Sequence, residues 1–317
     1  MAWKWRPKDS VAAIGALMTT SLAMPLPSGP AIAGDLTGDC YVCGSRIRIW
    51  LEVPKSDGSL RAVGICRCCG HAAHPASDTA ANLECQRRYF DGHVPPLPRA
   101  ARWPQRYALL RRRLRRLGAR GGTALDIGCG NGAWLSALGD GWTRFGVELS
   151  EPTARAARLA TGADVFCGPV EQYRPPLPAF DLISAFALIE HLSEPRRLVR
   201  WCREHLKPGG WFLVMTGDRE SQTACAMESA WPLYHPAEHQ HFFSAGSLCR
   251  LLESESFEVV RSEWHYMPWQ PCPPLRRFLL KCREAAGLVT QPAHDHLYLF
   301  ARKPAIPKAH LRTEDNR

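Results

Sequence analysis

The sequence predicts an α/β protein, with a doubly wound, mostly parallel sheet behind a small cysteine-knuckle module. Three observations carry this reading. From Thr123 the pattern runs strand, turn, helix, and then repeats. A glycine-rich turn, Gly128-Cys129-Gly130-Asn131-Gly132, follows the first of those strands. Six of the thirteen cysteines fall between Cys40 and Cys85, four of them as two Cys-x2-Cys pairs.

The chain begins ambiguously. Lys4, Arg6 and Lys8 precede the stretch Val11–Met24, and Ala31-Ile32-Ala33 has the small residues of a cleavage site, so a secretory signal fits the pattern. Pro25, Pro27 and Pro30 interrupt that pattern, and an odd number of mostly scattered cysteines suits a reducing compartment. Residues 1–39 are therefore expected to be a poorly ordered leader or the product of a start codon placed too early, and the protein to be cytoplasmic. No apolar run reaches the ~18 residues that a membrane-crossing helix requires.

Residues 40–90 hold the knuckles Cys40-Tyr-Val-Cys43 and Cys66-Arg-Cys68-Cys69. Zinc takes four thiolate or imidazole ligands at tetrahedral corners, and each Cys-x2-Cys turn presents two. Gly44 and Gly70 directly follow the knuckles, where a turn with positive φ suits glycine. With a strand over Arg46–Val53 between them, the pattern predicts a zinc-ribbon-like module with structural Zn2+ on Cys40, Cys43, Cys66 and Cys69. Cys68, His71, His74 and Cys85 read as bystanders, although one could replace Cys66.

Pro95, Pro96 and Pro98 mark residues 91–104 as a linker. A helix follows over Gln105–Leu117, with Tyr107, Leu110, Leu114 and Leu117 on one face. The net charge of +10 resides here: residues 99–120 hold nine arginines and no acid, while the rest of the chain is near neutral. A basic total suggests a polyanion partner, but its confinement to one helix also fits a solvated face.

The predicted sheet strands are Ala124–Ile127, Arg144–Val147, Ala163–Cys167, Phe180–Ser184 and Trp211–Met215, with helices at Thr153–Ala160 and Pro195–Leu206. Ligands of such sheets bind at the carboxyl ends of the strands. Glu148 lies 22 residues after Asp126 at the end of the second strand, where an acid can hold both hydroxyls of a ribose. The spacing Gly-x-Gly-x-Gly is shorter than the dinucleotide fingerprint. With Asp126 before it, the loop suits a cationic amino-acid end better than a diphosphate.

Leu125-Asp126-Ile127-Gly128-Cys129-Gly130-Asn131-Gly132 resembles the first motif of the class I S-adenosylmethionine-dependent methyltransferases, and Gly146-Val147-Glu148 the second. Phe180-Asp181-Leu182-Ile183-Ser184-Ala185-Phe186 through Glu190-His191-Leu192 is similar to the fourth-strand motif, and Leu206-Lys207-Pro208-Gly209-Gly210 to the one before the fifth strand. The resemblance implies a Rossmann-like methyltransferase domain over residues 105–304 and S-adenosylmethionine as cofactor. It places Gly128, Gly130 and Gly132 along the methionine part, with Asp126 organising the loop. Glu148 would hold the ribose and Leu149 pack on the adenine, beside Val170 and Glu171. Ala185 and Phe186 would lie beneath the sulfonium. His191 falls at the mouth of the site, as a substrate contact or a helix-capping imidazole.

Two closing strands are expected at Phe257–Trp264 and His296–Ala301, with a basic amphipathic piece, Leu275–Cys282, between them and a disordered tail from residue 305. The stretch from Trp231 to Ser244 is dense in aromatics and imidazoles, and Ser244 reads as the cap of a helix over Ala245–Leu252. It resembles an acceptor-side segment of family members with small-molecule and glycan-type substrates. Methyl transfer needs a positioned acceptor and, where a proton must leave, a base. His239 is the first candidate and His241 the second; the competing reading has Glu238 and His239 bracing the loop. The expected acceptor is a small molecule or glycan. An RNA methyltransferase gripping phosphates with the arginine helix is the alternative, and a non-catalytic cofactor-binding regulator is a third.

Overall fold

The computed structural model describes residues 38–54, 60–74, 104–234, 239–265, 282 and 294–305. The leader to residue 37, nearly all of the 91–104 linker, Cys85, Glu238, the Leu275–Cys282 piece except Cys282, and the tail beyond residue 305 lie outside these residues. The span Gly34–Arg317 forms one compact unit.

Three strands come first: β1 (Ile47–Pro54), β2 (Leu60–Cys66) and the short β3 (Ala72–Ala73). Helix α1 (Pro104–Arg116) leads into the alternating region, which comprises β4 (Gly122–Ile127), α2 (Ala133–Leu138), β5 (Trp142–Glu148), α3 (Glu151–Thr161), β6 (Asp164–Cys167), β7 (Phe180–Phe186), α4 (Pro195–His205) and β8 (Leu206–Gly217). The remainder is α5 (Gln222–Met227), β9 (His241–Phe242), α6 (Ala245–Ser254), β10 (Glu258–His265) and β11 (His296–Arg302).

The large sheet has the order β10-β11-β8-β7-β4-β5-β6. Pairing is parallel from β8 through β6, and β11 runs antiparallel to both β8 and β10. Parallel strands covered on both faces need near-continuous apolar runs. Strand β4 shows what that requires: Leu125 and Ile127 join the cluster with Leu198, Val199, Leu248 and Leu251 of α4 and α6. Ala124 joins the opposite cluster, with Leu110, Leu114, Leu135 and Ala157 of α1 to α3. The chain order reverses between β4 and β7, and the crevice at their carboxyl ends is the ligand position of such a sheet.

Predicted elements meet observed ones within a few residues, with one extension. Strand β8 starts at Leu206 rather than Trp211 because Phe180 pairs with Leu206 across the Gly209 turn, whose φ is +79°. A groove of about 210 Å³ lined by Gly118, Trp142, Asp181 and Lys207 sits at the amino ends of the strands, away from the crevice.

The small sheet has the order β1-β2-β3-β9, so its last strand comes from beyond β8. Ala72 pairs with Phe242 and Ala73 with His241. Arg219 reinforces the junction, donating from Nε to the Gly70 carbonyl at 2.7 Å, and Arg196 donates to the Val42 carbonyl at 2.6 Å. Cys40, Val42, Ile47 and Cys66 belong to the same buried cluster as Leu248 and Leu251. The cysteine segment is built into the body through the segment that carries β9.

Candidate active site

The glycine loop leaves β4 through three residues in left-handed backbone, Gly128 (φ +72°), Gly130 (φ +54°) and Gly132 (φ +79°). Two of them show different reasons for glycine. A Cβ on Gly132 would come within 2.6 Å of the Thr161 side chain and 3.3 Å of Ala157, so this glycine lets α2 approach α3. A Cβ on Gly130 would meet nothing within 4 Å, so this glycine borders open space that a ligand can enter.

Glu148 sits at the end of β5 with its carboxylate turned to that loop. Its Oε2 accepts from the Gly130 N–H at 2.8 Å and its Oε1 from the Ser150 N–H at 3.0 Å. Asp126 is differently engaged. Its Oδ1 accepts from the Ser184 hydroxyl at 2.6 Å, and Ser184 in turn accepts from the Trp134 indole N–H at 2.9 Å. The predicted loop-organising acid therefore ties β4 to β7 and α2. Burial pushes its carboxyl up to about 7, with Glu148 adding to the rise and Ser184 opposing it.

Phe186, at the end of β7, lies 5.4 Å from the Trp134 ring, 5.7 Å from Tyr298 and 6.4 Å from Tyr107 of α1. Ala185 points to the other face and is wholly buried in the core, because successive strand residues alternate. Leu149 is half-buried, Val170 is buried, and Glu171 is exposed on the turn after β6. Ala187 holds φ +47°, a strained backbone just beyond β7, and its N–H bonds to the Met215 carbonyl at 3.0 Å.

The structure brings His191 and His239 together, with ring centroids 4.7 Å apart. His239 Nδ1 lies 2.8 Å from the Leu233 carbonyl, which can only accept, so Nδ1 carries the proton and Nε2 a lone pair. Burial holds this imidazole down at about 4, so it is neutral near pH 7. Glu190 lies against both histidines. His241 is placed elsewhere: buried in β9, it has Nδ1 3.0 Å from His71 Nε2. His239 precedes β9 in irregular backbone, whereas His241 is held in β9 opposite Ala73, which sets its ring beside His71 of the cysteine segment.

Cys40, Cys43, Cys66 and Cys69 converge, with all four sulfurs within 4.8 Å of one another. Cys40 and Cys69 sulfurs are 3.4 Å apart, as are those of Cys43 and Cys66. A tetrahedral ion with ~2.3 Å bonds to sulfur needs edges of about 3.8 Å, so this cluster could hold one. The knuckles close alike: the Gly44 N–H bonds to the Cys40 carbonyl and the Gly70 N–H to the Cys66 carbonyl, each at 2.8 Å. The predicted bystanders do other work. Cys68 is exposed and accepts from Arg250, His71 pairs with His241, and His74 Nδ1 lies 2.7 Å from the Ala62 carbonyl.

Sequence reasoning passed over Tyr107 as a site residue, and also Trp134, Ser184 and Glu190. Tyr107 was legible only as part of a helix stripe, and Ser184 and Glu190 only as letters within motifs. What they contact depends on the crevice between β4 and β7.

A loop open at Gly130, an acid closing it from the next strand, and this strand order make a Rossmann-like α/β fold with its ligand crevice at the carboxyl ends of the strands. A family model described as a methyltransferase domain matches residues 101–262. The chain belongs to that family, as a class I S-adenosylmethionine-dependent methyltransferase. Among curated relatives, a ubiquinone biosynthesis O-methyltransferase of Idiomarina loihiensis is 29% identical over 153 residues, 44% of this chain and 63% of that protein. Another, of Thiobacillus denitrificans, is 33% identical over 110 residues, 32% of this chain and 47% of that protein. The chain spans less than two thirds of the length of these relatives. A solved magnesium protoporphyrin IX methyltransferase from Synechocystis PCC 6803 aligns at 13% identity with a TM-score of 0.47, covering 71% of this chain and 95% of that one. Among the described residues, no helix is long and apolar enough to cross a membrane.

Proposed function

We propose that the protein methylates a hydroxyl of a small molecule, using S-adenosylmethionine. The observation that carries this is the Glu148–Gly130 pair beside open space, since the residues present fit the cofactor. Glu148 would exchange its loop N–H for ribose hydroxyls, and Gly128 and Gly130 would let the amino-acid end lie against backbone. The cofactor supplies an electrophilic methyl on a sulfonium. The chain's residues bind it, exclude water with Tyr107, Trp134 and Phe186, and position the acceptor. His239 presents a neutral imidazole lone pair on the acceptor side and would take the acceptor's proton.

The relatives' names supply the oxygen acceptor; a glycan hydroxyl is the narrower form of the same reading. Zn2+ on the four cysteines would fix the small sheet and, through β9, the segment carrying His239. Free thiols in this number suit a reducing cytoplasm. The RNA alternative loses ground to internal uses of the arginine helix: Arg106 donates to the Tyr298 hydroxyl, Arg111 to the Ala137 carbonyl, and Arg113 pairs with Glu263.

The test is incubation with methyl-labelled S-adenosylmethionine and fractionated cell extract. Label in small molecules is the expected outcome. Label in RNA would replace this reading with the alternative, and tight cofactor binding with no labelled product would favour a regulator.

A further inference from the structure

We propose that Glu190, His191 and His239 form a second metal site, for a first-row divalent transition cation, distinct from the four cysteines. Each of the three offers one ligand atom, and all lie within 4.8 Å of one another. The residues come from two places in the chain: Glu190 and His191 from the 3-10 turn after β7, His239 from the segment before β9.

All three side chains are buried, with 6%, 5% and 9% exposure for Glu190, His191 and His239. Glu190 Oε2 has no hydrogen-bond partner among the described residues. A buried carboxyl oxygen left without a partner is destabilising, because it has given up water and gained nothing in return. A cation removes that cost. Around the cluster, the partners are those a metal ligand needs. The Leu233 carbonyl accepts a hydrogen bond from His239 Nδ1–H and leaves the Nε2 lone pair for the ion, and the Thr216 hydroxyl holds the Glu190 carboxyl. Metal-binding histidines are oriented by just this kind of outer bond. The Gln240 N–H also bonds to the Glu190 carbonyl at 2.8 Å, joining the two segments.

Two imidazoles and one carboxylate suit Zn2+, Mn2+ or Fe2+ better than Mg2+ or Ca2+, which prefer all-oxygen shells. Three protein ligands leave coordination positions for an acceptor oxygen. This role rests on the methyl-transfer reading. On binding the ion, the acceptor hydroxyl loses its proton to solvent, as metal-bound water does. The oxygen lone pair then forms the O–C bond to the methyl carbon while the C–S bond breaks, its electron pair returning to sulfur as a neutral thioether. With the ion bound, His239 serves as its ligand; in ion-free protein its Nε2 lone pair keeps the proton-accepting role given above.

The experiment uses full-length protein carrying its cysteine-bound zinc. Metal content is measured after dialysis against excess Zn2+, and Mn2+ alone is titrated by electron paramagnetic resonance. Wild type should hold two zinc ions per chain and bind one Mn2+. Glu190→Gln and His239→Ala should each hold one zinc and weaken Mn2+ binding at least about tenfold, with S-adenosylmethionine binding retained as the control for folding. Loss of the second ion in either folded variant supports the site, whether or not methyl transfer is found. A wild type with one zinc and no Mn2+ binding, or variants that bind both as wild type does, overturns it and leaves the methyl-transfer reading standing.

Discussion

Glu148 Oε2 accepts the Gly130 N–H at 2.8 Å, so the acid at the end of the second sheet strand closes the glycine loop of the first. Charge-assisted bonds of this kind are worth about 1.5–3 kcal/mol. Glu148→Ala should weaken S-adenosylmethionine binding about 10–100-fold by titration calorimetry, while Glu171→Ala, exposed beyond β6, should change it less than about threefold. Equal losses in the two variants would count against Glu148 as the ribose acid.

Asp126 should set stability against cofactor binding. Its folded-state carboxyl is at about 7 because it is buried, far above an unfolded aspartate near ~3.9. Between those values the folded chain holds a proton that the unfolded chain has lost, so this group's contribution to stability falls as pH rises from about 4 to 7. Asp126→Asn removes the buried charge and should raise apo stability by on the order of 2 kcal/mol at pH 8, with the gain vanishing near pH 4. Its affinity for the cationic cofactor should fall. Denaturant melts of both proteins at the two pH values check the sign, and a gain over wild type no larger at pH 8 than at pH 4 would contradict it.

Cysteine-bound metal should matter beyond its own segment. His71 meets His241, and β3 pairs with β9, two residues after His239. Cys66→Ser or prolonged chelation should lower the melting temperature by about 10 °C and speed amide exchange at His241 and Phe242. Unchanged exchange in metal-free protein would show the two parts to be uncoupled.

The arginine helix divides into working and solvated positions. Arg113 pairs with Glu263 at 2.8 Å, whereas Arg112, Arg115 and Arg116 are exposed. Burial would raise the Glu263 carboxyl, but His265, Arg261 and Arg113 together hold it down at about 2. Its stabilisation is complete above an unfolded glutamate near ~4.3 and is lost as pH falls toward 2. Glu263→Gln should cost about 1–2 kcal/mol at pH 7 and close to nothing at pH 2. Arg112→Ala, Arg115→Ala and Arg116→Ala should each stay within about 0.5 kcal/mol of wild type.

The sequence alone determined the order of elements, the glycine loop, the acid 22 residues on, and the four cysteines, because strand period, turn chemistry and ligand spacing are local. Contacts between distant segments belonged to the tertiary structure. His239 and His241 read as first and second candidates for one role, as neighbours in one segment. Pairing of β9 with β3 sent His241 to His71, while His239 stayed with Glu190 and His191. Asp126 read as a loop residue until Ser184 and Trp134 were seen to hold it across three elements. Local pattern specifies what each segment becomes; only packing decides which side chains then share a buried space.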